Sequence, residues 1–239
     1  MRIGILGGGQ LGRMLALAGY PLGLRFRTLD LSPEAPAGEV SELMAADFND
    51  TDALKRFARG LDLVTYEFEN VPVDPARFLS RRVAVFPPPE ALEAAQDRLT
   101  EKRFFERLGI PTPTFVAVDT WDDLKTALND IGLPAVLKTR RFGYDGKGQV
   151  VIRKTEDISG AWQSLGGVPL ILEGFVAFER EVSMLAVRSR NGETAFYPLV
   201  ENHHHDGILR LSLCPAPAAN SEFQREAEEF ARRALEALN

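Results

Sequence analysis

Between residues 2 and 86 strand-like segments recur, all but one neighbouring pair separated by a helix-like one. That alternation limits the fold more than any other feature of its 239 residues. Strand patterns fall at 2–6, 24–29, 42–46, 61–66 and 83–86, with helical patterns near 10–18, 51–59 and 74–79 between them. Such alternation predicts an α/β domain built on a parallel, doubly wound sheet. Pro87, Pro88 and Pro89 then stop the sheet and mark a boundary. The first turn reads Gly7, Gly9, Gly12 as G-x-G-x-x-G opening a helix, and Asp30 closes the next strand. By itself that half suits a dinucleotide-binding fold and a nicotinamide-dependent oxidoreductase.

The pattern changes after the prolines. Helices are expected near 90–95 and 98–108, the second turning Leu99, Phe104, Phe105 and Leu108 inward, before an extended stretch at 110–114. Next come strand 115–118, helix 121–130, strand 135–138, strand 149–153, helix 156–165 and strand 170–173, the pattern of a small α+β domain. Further strands are expected near 180–189, 194–200 and 207–213. An amphipathic terminal helix follows, with Ser221 and Gln224 as its capping box. The expected organisation is 1–89, a helical linker 90–114, a lid domain 115–172 and an incomplete domain 173–239.

Between the strands at 135–138 and 149–153 lies a loop with Gly143, Gly146 and Gly148 among the cations Arg140, Arg141 and Lys147, with Lys138 just before it. Backbone N–H groups beside flexible glycine, with charged side chains near, are what polyphosphate oxygens require. The loop is not G-x-x-x-x-G-K-[ST], because Gly148 follows Lys147 and a strand follows the loop. It reads as a flap over a nucleotide. A net charge of −6 argues against nucleic acid as a partner, and one cysteine, Cys214, excludes an internal disulfide. No apolar run is long enough for a membrane span, so a cytoplasmic enzyme is expected.

The segments GGGQLGRM at 7–14, TYEFENV at 65–71, DRLTEK at 97–102, LKTRRFGYDGKGQ at 137–149, FEREVS at 178–183 and ENHHHDGIL at 201–209 together resemble the N5-carboxyaminoimidazole ribonucleotide synthetases of the ATP-grasp superfamily. The resemblance implies ATP- and Mg²⁺-dependent carboxylation of aminoimidazole ribonucleotide with bicarbonate, through carboxyphosphate, in purine biosynthesis. A homodimer is also implied. The fold it implies is ATP-grasp: a doubly wound first domain, a lid, and the first part of a C-terminal α+β domain.

Carried onto this sequence, the resemblance makes Arg98 and Lys138 ligands of ATP phosphates, and Gly143, Tyr144, Asp145, Gly146, Lys147, Gly148 and Gln149 the flap. Tyr144, Asp145 and Lys147 are also expected to touch substrate. Glu173, Gly174, Phe175 and Val176 match the hinge at the adenine edge, Glu181 the ribose position, and His204 a nucleotide contact. Gly9, Gln10 and Leu11, within the 7–12 loop, are expected to receive the ribonucleotide's phosphate side at a helix N-terminus. Of Glu67 and Glu69, two apart at a strand end and so facing one side, one is expected to fix its aminoimidazole or ribose. In a strand only His203 and His205 of the three histidines could share a metal, and none of the family's Mg²⁺ carboxylates has a counterpart here. Phe142 stands where the family usually carries glycine. The chain is expected to be a truncated or incompletely represented enzyme. The alternatives are a sister ATP-grasp ligase, the oxidoreductase above, and a non-catalytic nucleotide-binding remnant.

Overall fold

The computed structural model describes residues 1–144, 146–217 and 219–238. They form two compact units, Met1–Gln96 and Asp97–Asn239. In the first, β1 (Arg2–Leu6), α1 (Gln10–Gly19), β2 (Arg25–Asp30), β3 (Glu42–Ala45), α2 (Thr51–Ala58), β4 (Leu63–Tyr66), α3 (Val73–Ser80) and β5 (Ala84–Val85) follow the expected alternation. The sheet order is β3-β2-β1-β4-β5, every pairing parallel, with β1 central. Because neighbouring residues in a strand face opposite ways, β1 serves two apolar layers. Leu6 packs with Leu29, Leu54, Phe57, Val64 and Leu79, whereas Ile3 and Ile5 pack with Ala16 and Phe26.

The stretch expected as a linker is divided. Its first helix, α4 (Pro89–Gln96), belongs to the first unit: Leu92 enters that core, and the Gln96 side-chain amide donates to the Val71 carbonyl. Three prolines end the sheet without ending the unit, because an apolar residue beyond them still has a core to join.

The second unit opens with α5 (Arg98–Arg107). Asp97 caps it by accepting from Leu99 N at 3.0 Å and Thr100 N at 3.2 Å. There follow β6 (Phe115–Val118), α6 (Trp121–Ile131), β7 (Ala135–Thr139), β8 (Gln149–Ile152), α7 (Asp157–Leu165) and β9 (Leu170–Gly174). Thr120 and Asp123 form a capping box on α6. The four strands make an antiparallel sheet ordered β6-β9-β7-β8. Ala135, Leu137, Ile152, Leu170 and Leu172 turn from it toward Leu124, Ala127, Leu128 and Ala161 of the two helices.

Beyond β9 the expected strand at 180–189 is two strands, β10 (Glu181–Ser183) and β11 (Ala186–Arg188). They have different partners: β11 pairs with β12 (Thr194–Phe196), and β10 joins the sheet β10-β13-β14 with β13 (Val200–His205) and β14 (Ile208–Leu213). The last helix is α8 (Ser221–Leu238). Its expected capping box is absent because Asn220 caps instead, accepting from Phe223 N at 2.8 Å. Gln224 turns to the chain before the helix, accepting from Leu199 N at 2.9 Å and donating to Tyr197 O at 3.3 Å.

Candidate functional site

One sheet face of the second unit is core; the other lines a cavity of about 620 Å³. Strand periodicity explains the division. Leu137, Ile152 and Leu172 go to the core, so Val136, Lys138, Gln149, Val151 and Glu173 come to the opposite face and line the cavity. Gly174, Phe175, Val176 and Phe178 continue its wall, and Glu181, His204 and Gly207 complete one side. The size lies within the range of small-molecule sites, roughly 300–1,000 Å³.

Its charged centre is Glu173, whose side chain is 5% exposed. Glu173 Oε2 takes Lys138 Nζ at 3.0 Å and Lys102 Nζ at 3.3 Å. Glu173 Oε1 is buried without a hydrogen-bond partner, which is costly unless a ligand supplies a donor. Glu181 Oε2 and His204 Nδ1 lie 2.8 Å apart, joining β10 to β13.

Thus Lys138, Gln149, Glu173, Gly174, Phe175, Val176, Glu181 and His204 come together, whereas, among the described residues, Arg98, Gly143, Tyr144, Gly146, Lys147 and Gly148 do not line the cavity. The Arg98 guanidinium donates to Thr139 O at 3.0 Å and Gly143 O at 3.4 Å, bracing the flap where it leaves β7. Gly146 and Gly148 have φ of +74° and +72°, a conformation that suits glycine. A Cβ on Gly146 would meet Gly207 Cα at 3.1 Å, so the flap approaches the β13–β14 turn. Lys147 Nζ lies 3.3 Å from the Tyr144 hydroxyl. Phe142, in the family's glycine position, has φ of +62°. Asp145 lies outside the described residues.

Sequence reasoning missed Lys102, Pro113, Val136, Val151, Phe178 and Gly207. For Val136 and Val151 the signal was strand alternation with Lys138 and Gln149. For Lys102 it was the four-residue step from Arg98, one turn along the same helix face.

In the first unit the glycine loop is already filled. Glu67 accepts from Gly9 N at 2.6 Å and Leu11 N at 3.2 Å, placing a carboxylate on the N-terminus of α1. A phosphate received by the 7–12 loop, as expected from the sequence, would there meet the Glu67 carboxylate and two amide donors already engaged. Asp30 likewise serves the loop, accepting from Gly8 N at 2.7 Å and Ser32 N at 2.8 Å, so its carboxylate is not left for a dinucleotide ribose. Glu67 and Glu69 do not share a strand face, because β4 ends at Tyr66. Glu69 is exposed and accepts from the Asn70 side chain at 3.0 Å, and Gln10 is exposed at the helix start.

Each histidine has its own carboxylate neighbour: Glu201 at 3.2 Å from His203, Glu181 beside His204, and Asp206 at 3.1 Å from His205. A register shift between His203 and His204 breaks the strict alternation on which a shared metal depended. Among the described residues no three His, Cys, Asp or Glu side chains cluster to hold a metal ion. Nor is any helix among them long and apolar enough to cross a membrane.

The chain belongs to the ATP-grasp family: the ATP-grasp domain model matches residues 103–239, over the unit that holds this cavity. The ribonucleotide synthetase preATP-grasp domain model matches residues 1–96. Within the family the chain is similar to the N5-carboxyaminoimidazole ribonucleotide synthase of Pseudomonas aeruginosa, at 53% identity over 239 residues, all of this chain and 66% of that protein. It is also similar to the crystal structure of the N5-carboxyaminoimidazole ribonucleotide synthetase of Thermus thermophilus. That match has a TM-score of 0.92 and 63% identity, covering 99% of this chain and 64% of the other. The Aspergillus clavatus synthase solved with ADP and 5-aminoimidazole ribonucleotide gives a TM-score of 0.88 at 28% identity, covering 99% and 62%. The chain thus spans a little under two thirds of the length of these relatives.

Proposed function

We propose that this chain takes part in the ATP-dependent carboxylation of 5-aminoimidazole ribonucleotide by bicarbonate, a step of purine biosynthesis, in a cytoplasmic homodimer. The observation that carries the reading is the cavity on the second unit's sheet, where two lysines meet one buried carboxylate beside a hinge backbone and a Glu–His pair. ATP is the ligand it suits. The backbone at 173–176 offers hydrogen-bonding groups to the adenine edge, Glu181 accepts from ribose hydroxyls, and Lys138, with Arg98, attracts phosphate oxygens.

In the reaction a bicarbonate oxygen attacks the γ-phosphorus, the bond to ADP breaks, and carboxyphosphate forms. The substrate amine then attacks the carboxyl carbon and inorganic phosphate leaves. The flap, with Tyr144, Asp145 and Lys147, excludes water that would hydrolyse the intermediate. In the first unit Glu67 is an acceptor, suited to the neutral hydroxyl or amine donors of the ribonucleotide and not to its phosphate. Gly9, Gln10 and Leu11 border that position. The divalent ion has no assigned ligands in this reading.

Isothermal titration with ADP and NADH, followed by phosphate release from ATP with bicarbonate and aminoimidazole ribonucleotide, tests it. ADP binding without NADH binding is expected. Phosphate release that requires the ribonucleotide is expected of the chain extended to the length of its relatives. NADH binding with none for ADP, or release indifferent to the ribonucleotide, would overturn it.

A further inference from the structure

Lys102 has no part in the nucleotide contacts just described, yet its ammonium is 3.3 Å from the Glu173 oxygen that Lys138 holds at 3.0 Å. Its side chain is only 16% exposed. Removing an ammonium from water is unfavourable unless a partner compensates it, and half a share of one carboxylate is thin compensation. With Lys138 alone, Glu173 would form a neutral pair. With both lysines the cluster carries one positive charge in excess, on the wall of the cavity. Lys102 sits one helical turn after Arg98, whose guanidinium is held by the carbonyls of Thr139 and Gly143, so it is Lys102 and not Arg98 that shares the Glu173 carboxylate with Lys138.

We propose that Lys102 is a positioning residue: it takes part of the Glu173 carboxylate so that Lys138 can turn donors toward a nucleotide phosphate. The inference rests on the nucleotide reading of the cavity and deepens it. An ammonium has three donors, and Lys138 needs only one for Glu173 if the carboxylate is otherwise neutralised.

The test compares the whole chain with Lys102→Met, which keeps the apolar stem, and Lys102→Arg, which keeps the charge. ADP binding is measured by isothermal titration at two salt concentrations, and adenosine binding by ligand-detected NMR. Loss of one nearby charge should weaken ADP binding by about tenfold in Lys102→Met, flatten its salt dependence, and leave adenosine within about twofold. Lys102→Arg should stay within about threefold of the wild type for ADP. The proposal is overturned if Lys102→Met binds ADP as the wild type does, or if its salt dependence is unchanged. Equal loss of ADP and adenosine would also overturn it, by showing that Lys102 only holds the hinge in shape. A wild-type chain that binds neither ligand would overturn the nucleotide reading itself, a different result from any of these.

Discussion

Replacing Glu67 by alanine tests whether its carboxylate is the internal cap of the glycine loop. The side chain accepts from Gly9 N at 2.6 Å and from Leu11 N at 3.2 Å. A hydrogen bond to a charged group contributes about 1.5–3 kcal/mol, and an anion at a helix N-terminus about 0.3–1 kcal/mol. The Leu11 bond is long and exposed, and both freed amides can turn to water, so the lower end applies. Glu67→Ala should therefore destabilise this region by about 2 kcal/mol, in line with loss of a strong cap. Glu67→Gln keeps one acceptor oxygen but loses the charge, and should cost about 1 kcal/mol. Hydrogen exchange by mass spectrometry on the peptide covering residues 7–14 reads the effect locally, and 2 kcal/mol is a protection loss of about 30-fold. Urea unfolding followed by far-UV circular dichroism supplies the global value. Unchanged exchange in Glu67→Ala, or a stability within about 0.5 kcal/mol of wild type, would show that the carboxylate does not hold the loop.

Leu137 is fully buried in the second unit's core, and Leu137→Ala should cost about 2–5 kcal/mol, followed by the fluorescence of Trp121 and Trp162, which pack edge to face. Gly148→Ala places a Cβ 2.6 Å from Thr139 Oγ1 at a φ of +72°, so flap geometry should suffer and ADP titration should show weaker binding. Burial, with a smaller contribution from Glu90, raises the Tyr66 pKa above its usual 10.0, and its hydroxyl donates to Pro88 O at 2.9 Å. The unfolded chain then loses this proton first, so the contribution is whole below about pH 10 and falls as pH rises above it. Tyr66→Phe should flatten that alkaline decline in urea-unfolding free energy relative to wild type.

The parallel sheet was legible because buried strands and amphipathic helices differ in period, and the first unit keeps both periods clean. The cavity floor was legible for the same reason: once Leu137 is inward, Lys138 must face away. What the sequence could not convey was occupancy by distant residues. G-x-G-x-x-G describes a turn that can receive an anion, but not that Glu67, 58 positions from Gly9, already supplies one. Lys102 was hidden because its partner, Glu173, lies on a strand brought near only by the β6-β9-β7 order. The break between β10 and β11 was also hidden: 181–188 reads as one strand, and only pairing with two different strands divides it.

The flap is a short tether with fixed ends. Thr139 N donates to Gly148 O at 2.8 Å, and Arg140 is pinned through its own N to Pro169 O at 3.1 Å and through its guanidinium to Asp97 at 2.9 Å. That leaves the stretch 141–147 to go out and return. At about 3.3–3.6 Å per extended residue, half of that length reaches roughly 12 Å from its root. Loop length is thus a ruler, setting the thickest guest over which the loop can still meet the glycine at 207.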